Sequence, residues 1–322
     1  MTTTNSWHAA GGIARLRTSA AGLPAPIRGL IWAATAGFLF AQLNALMRLL
    51  ALQVDPFQTQ FLRYLFGLIV MLPLVLRGGV AAYWPKQIGG QFTRGGVHTL
   101  GLILFFIALP HIPLADTTAI NFTGPIFVMI GASVFFHEPL RWERWVATAT
   151  GLVGVLIVLA PKLSGGGGLY TLVMLASAPV FAASFLLTKS LTRREGTSVI
   201  VLWQAISVTL FSLPLALLHW RSPTAAQWIG YALCGLFGSV GHYCLTRSFR
   251  VADLSSTQSA RFLDLVWATI LGWLIFAELP SLSTLIGGSA ICAATLWVAR
   301  RESRRGGVSA EEAAKGSGSP LA

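Results

Sequence analysis

Residues 254–280, "LSSTQSARFLDLVWATILGWLIFAELP", align without a gap on residues 114–140, "LADTTAINFTGPIFVMIGASVFFHEPL". The offset is 140 residues, 254 against 114. Leu114, Thr117, Phe122, Ile130, Phe136 and Glu138 meet Leu254, Thr257, Phe262, Ile270, Phe276 and Glu278. Upstream, Gly95 and Gly101 meet Gly235 and Gly241 at the same offset; with one residue of slip Arg48 falls on Lys189 and Arg63 on Gln204. A collinear set of identities at one spacing is an internal repeat, and it predicts two halves built to one plan.

Working outward, the runs on either side are too apolar for a soluble domain. Of 322 residues 54% are hydrophobic and 11% charged, where soluble domains carry about 25% charge. Apolar stretches of roughly 18–24 residues recur, long enough to cross a bilayer, whereas buried soluble segments run about 10–14. Ten spans are predicted, near 29–50, 57–76, 94–111, 114–136, 143–160, 169–189, 197–218, 225–246, 254–276 and 281–299. The domains follow: a cytoplasmic tail over 1–26, a first repeat over 27–161, a second over 168–300 and a tail over 302–322. Both tails are polar or rich in small residues and read as disordered.

Five crossings per half is an odd number, so the second half enters the membrane opposite to the first. The fold class is therefore all-α and polytopic, with ten transmembrane helices in two inverted five-helix repeats, a plan shared by many secondary transporters. Nearly all of the 23 lysines and arginines, Arg94 among them, fall on the side of the amino terminus. The opposite side receives Lys162 and Arg221, while Arg48, Arg63 and Arg261 lie within spans. That asymmetry predicts both termini inside a bacterial inner membrane. It also accounts for the net charge of +12 without nucleic acid, because the charge is scattered over short loops. The three cysteines lie in spans and read as packing residues, with no metal spacing and no cofactor implied. No HExxH, GxSxG or phosphate-binding loop is present to make an enzyme. The partners predicted are a small-molecule substrate and lipid; a homodimer is compatible but not required.

Particular segments carry a family likeness. "NALMRLL", "QFLRYLFGL", the stretch from "PLADTTAINFTGP" to "GLVGVLIVL", and "LVWATILGWLIFAELPSLSTLIGGSAICAATLWVARRE" resemble the EamA-type transporters of the drug/metabolite transporter superfamily. The likeness covers about residues 27–302 and is nearest to the subgroup assigned as riboflavin and S-adenosylmethionine importers. It implies alternating access and an organic metabolite as cargo, with amino-acid or drug export as the alternative. The chain departs from the family pattern at "ICAATLWVA" and in the acidic Asp264.

Within the spans the ionisable residues are the functional candidates, since lipid rejects them. Thr257, Arg261, Asp264, Ala268 and Gly272 follow one another at i, i+4, i+7, i+11 and i+15, a stripe of polar and small side chains. The matching stripe in the first half is Thr117, Asn121, Gly124, Val128 and Ala132. The two faces are expected to border one central cavity, with a kink at Gly124 and Pro125. The substrate-binding set is Arg63, Asn121, Gln204, Gln258, Arg261, Asp264 and Trp267. Asp264 and His98 are candidates for proton coupling, against a second reading in which Arg261 and Asp264 only neutralise one another.

Overall fold

The computed structural model describes residues 23–51, 53–108, 111, 123–138, 142–159, 168–276, 282, 285–286, 289–290, 293, 297 and 300. Eight long helices lead the chain: α1 (Ala25–Ala51), α2 (Pro56–Gly78), α3 (Ile88–Ala108), α4 (Gly124–Phe136), α5 (Trp142–Leu159), α6 (Gly168–Leu191), α7 (Thr197–Leu218) and α8 (Ala225–Val251). The ninth span is made of α9 (Leu254–Gln258), a 3-10 turn over Ser259–Phe262 and α10 (Leu263–Phe276). At the tenth, every described position from 282 to 300 is helical. The protein is an all-α polytopic membrane protein, with no strand among the described residues. By length and composition alone, Ala25–Met47, Pro56–Gly78, Leu169–Leu191 and Thr197–Leu218 suffice to span a bilayer. Large apolar side chains such as Leu76, Phe135, Leu169 and Leu218 are exposed on the outer faces, as lipid requires.

Local chemistry sets the helix ends. Asp55 accepts from the backbone N–H groups of Phe57 and Gln58 at 2.9 and 3.1 Å, and Pro56 follows at the first helical position, where its missing N–H costs nothing. Thr224 and Gln227 form a reciprocal capping box at the start of α8. His137 closes α4 in the left-handed region, φ 56°. Lys189, in the last turn of α6, donates from Nζ to the carbonyls of Phe249 and Ala252 at 2.6 and 2.5 Å, satisfying the end of α8.

The packing has two-fold character. α1 packs on α8 as α6 packs on α3, α2 packs on α8 as α7 packs on α3, α10 lies on α1 as α4 lies on α6, and α2 meets α7. Exchange of partners between equivalent elements is the mark of a dyad. The matched glycines explain themselves here. A methyl at Gly101 would stand 2.9 Å from the Phe181 ring, and one at Gly241 would stand 2.9 Å from the Phe40 ring. Gly235 meets the backbone of Phe66 and Gly67 on α2, and Gly95 meets Ser207 on α7. Each close approach thus occurs twice, once per half, and only the absence of a side chain allows it.

The structure corrects two boundaries. α3 begins at Ile88 rather than near 94, which draws Arg94 from the expected loop to within the helix, where it is 3% exposed. The ninth span is interrupted at Ser259–Phe262, a 3-10 turn that contains Arg261 and ends two residues before Asp264. In the first half Gly124 and Pro125 stand at the start of α4, at the position equivalent to the start of α10. The segment on the amino-terminal side of the expected kink lies outside the described residues. Residues 112–122, both tails beyond 23–300, and most of the tenth span lie outside the described residues.

Candidate functional site

On the dyad, between α2, α7 and α8, lies a narrow cleft of about 10 Å³, room for about one water molecule as the helices stand. Arg63, Tyr64, Gln204, Gly238, Ser239 and His242 border it, and among the described residues no carboxylate does. Arg63 and Gln204, the pair brought together by the repeat, therefore face the same space. The guanidinium of Arg63 lies 4.8 Å from the Tyr64 ring centroid, and Gly238 leaves room for its Nε. Among the described residues it has no hydrogen-bond or ion-pair partner, so its charge is available to the cleft.

Behind Gln204 stands Arg94. Its Nε donates to Thr188 Oγ1 at 2.5 Å, Nη1 to the Ile200 carbonyl at 3.2 Å and Nη2 to Gln204 Oε1 at 2.6 Å. These charge-assisted bonds hold a buried cation that the sequence reading left in a loop. A signal was available: Gln91, Arg94 and His98 recur at i, i+3 and i+7 on one helix face, and all three are buried.

His98 is buried in a chain of hydrogen bonds. Its Nδ1 meets Ser184 Oγ at 3.2 Å and its Nε2 meets the Tyr64 hydroxyl at 3.0 Å, and that hydroxyl also meets His242 Nε2 at 3.3 Å. A hydroxyl carries one proton, so Tyr64 donates to one imidazole and accepts from the other. The tautomers of His98 on α3 and His242 on α8 are thereby tied together across the dyad.

The remaining candidates lie elsewhere. Arg261 places its guanidinium 4.9 Å from the Phe185 ring centroid on α6. Asp264 is seated against α1, where a methyl at Gly37 would collide with its Oδ1 and approach Trp267. Trp267 also packs edge-on to Phe38, ring centroids 5.5 Å apart. The stripe thus faces protein, divided between α1 and α6, and none of these three side chains borders the cleft. Gln258 is buried, donating to the Leu254 carbonyl at 3.1 Å, with Oε1 unpartnered. Asn121 lies outside the described residues, as does the side chain of Arg48. Glu138, read only as an interfacial helix end, accepts from the Leu254 backbone N–H at 2.8 Å and so ties the end of α4 to the start of α9.

An inverted-repeat helical bundle with a positively charged cleft on its axis defines a membrane transporter, because lipid-crossing helices here enclose a polar site that lipid itself has no use for. The EamA-like transporter family matches this chain twice, over residues 27–160 and 168–300, and the chain belongs to that family. Similar proteins include the riboflavin transporter of Rhizobium johnstonii, 32% identical over 86% of this chain and 92% of the relative. The S-adenosylmethionine uptake transporter of Rickettsia bellii is 31% identical over 81% and 89%. A pseudopaline exporter of Pseudomonas aeruginosa is 27% identical over 84% and 96%. A crystal structure with 19% identity superposes with a TM-score of 0.75, covering 86% of this chain and 98% of that one, which shows a common fold.

Proposed function

We propose that this protein moves a small organic metabolite of the vitamin, nucleoside-like or amino-acid-like class across the bacterial inner membrane by alternating access. The observation that carries the reading is the axial cleft holding Arg63 and Gln204 between two halves that exchange equivalent contacts. A site on a pseudo-dyad presents itself alike to both sides as one half rocks on the other.

The mouths support the same reading. At the start of α2 the Gln58 amide donates to the Arg221 carbonyl at 2.6 Å and accepts from the Arg221 N–H at 2.9 Å, joining the α7–α8 loop. Beyond the other end of α2, Glu195 accepts from the Gln87 N–H at 2.8 Å, joining the α6–α7 loop to the α2–α3 loop. Each end is thus fastened by a long-range contact, and alternation requires each to release in turn. Gln58→Ala and Glu195→Ala should shift thiol-probe accessibility toward opposite faces in protein carrying a single cysteine at position 204. A shift toward the same face in both variants would argue against alternation.

Uptake is favoured by the similarity to two proteins named for riboflavin and S-adenosylmethionine uptake. Export is the second reading, favoured by the relative named as a pseudopaline exporter. The test is saturable counterflow by purified protein in liposomes, with riboflavin, S-adenosylmethionine and amino acids as cargo; flux that rises linearly without saturation marks a channel instead. For proton coupling, Asp264 and the His98–Tyr64–His242 chain are the titratable groups at depth. Arg63, Arg94 and Arg261 all lie within electrostatic reach of His242. Asp264→Asn is expected to abolish uphill transport driven by a proton gradient while preserving counterflow; an unchanged pH dependence assigns coupling to the histidines, tested in turn by His98→Gln.

A further inference from the structure

The amide of Gln204 is 1% exposed, borders the cleft and has only one of its two ends satisfied. Which end is satisfied is decided by chemistry. A guanidinium has donors and no acceptor, so the group of Gln204 facing Arg94 Nη2 at 2.6 Å must be the carbonyl. The NH2 group is then forced away from Arg94, and its Nε2 has no hydrogen-bond partner in the structure. A buried unpaired donor has given up water and gained nothing until something accepts from it.

Arg63 adds a second donor group to the same cleft, also without a partner among the described residues. Ser239 spends its hydroxyl on the Gly67 carbonyl at 3.2 Å. Among the described residues the cleft therefore combines two cations, Arg63 at its wall and Arg94 behind, with an amide donor and no acid. Arg261, by contrast, has Asp264 within electrostatic reach.

Resting on the transport reading above, we infer that the cleft binds a carboxylate of its substrate between Arg63 and the Gln204 NH2 group, and that Arg94 is the positioning residue that holds Gln204 in this sense. A carboxylate offers acceptors only and carries the charge the site lacks. An ammonium at the same place would set donor against donor, and an amide would bring a neutral acceptor without the charge.

The probes are S-adenosylmethionine and its decarboxylated form, the amino acids, the corresponding 2-oxo acids, and riboflavin, each tested by thermal stabilisation of the full-length protein and by counterflow. At least one carboxylate is expected to bind, with its decarboxylated or amidated partner tenfold or more weaker. Gln204→Glu keeps a partner for Arg94 and so stays folded, yet turns a carboxylate oxygen to the cleft; carboxylate binding should fall at least tenfold at unchanged or raised melting temperature. Arg94→Gln, which can donate or accept, frees the Gln204 amide to turn and should bring the preference ratio toward one, whereas Arg94→Lys keeps charge and donor and retains it. Equal binding of a ligand and its decarboxylated form, or unaltered affinity in Gln204→Glu, overturns the inference. Counterflow of riboflavin with no response to any carboxylate overturns it and leaves transport standing; silence from every probe overturns both.

Discussion

Arg63→Leu is expected to remove transport while leaving the protein at least as stable as before. The two effects part because the guanidinium has no ion pair or hydrogen bond among the described residues, only the face of its neighbour Tyr64. A half-buried cation without a partner pays for desolvation and is repaid only when a ligand arrives. Truncating one member of a buried charge pair costs about 2–5 kcal/mol, and about 1.4 kcal/mol is tenfold. Transport should therefore fall by roughly thirty-fold to more than a thousand-fold, with a melting temperature that holds or rises. Arg63→Lys keeps the charge and loses the planar fork, and should recover part of the loss. The check is initial counterflow rate alongside thermal melting of the same preparations. A variant that melts early would make Arg63 a structural residue, and one that transports normally would remove it from the site.

The repeat was legible because the same packing problem is solved twice. Gly95, Gly101, Gly235 and Gly241 are fixed by contacts a methyl group would break, so their spacing survives in the chain where surface residues have drifted. Arg63 and Gln204 were legible for a related reason: polar side chains in apolar runs stand out whatever they do. Arg94 was hidden by its surroundings. "QIGGQFTRGG" reads as a polar, glycine-rich loop, and what makes it a buried helix is the set of acceptors supplied by Thr188, Ile200 and Gln204, about a hundred residues further on. Helical periodicity likewise gave the stripe of Arg261 and Asp264 but not the neighbour it would face. Gly37 offers Asp264 a notch on α1, and Phe185 offers Arg261 a ring on α6, and neither is marked in the local pattern. The link between His98 and His242 depends on one hydroxyl placed between two helices by tertiary packing, which no spacing along either helix could show.

Gly235→Ala should be the most damaging single methyl in the bundle. The added carbon would stand 2.6 Å from the carbonyl carbon of Phe66 and 2.7 Å from the Gly67 nitrogen, and backbone does not rotate aside as a side chain does. Relief requires α2 and α8 to separate, along the contact that sets the width of the cleft between Arg63 on one helix and Gly238 and Ser239 on the other. Overpacking a tight contact costs about 1–3 kcal/mol and sometimes more, so a melting temperature lower by several degrees is expected. The equivalent change at Gly95 meets Ser207 Oγ, which can rotate aside, and Ser207 Cβ, which moves only with its backbone, so it should destabilise as well. Gly89 has nothing within 4 Å of an added methyl; there alanine gains up to about 1 kcal/mol of helix propensity and should not destabilise. Melting of the three variants in one detergent gives the order, and equal losses would refute the close-approach account of the matched glycines. Transport separates the two consequences of Gly235→Ala: at a temperature where the variant is still folded, parting α2 from α8 draws Arg63 away from its place beside Gly238, so affinity falls even where stability does not limit it.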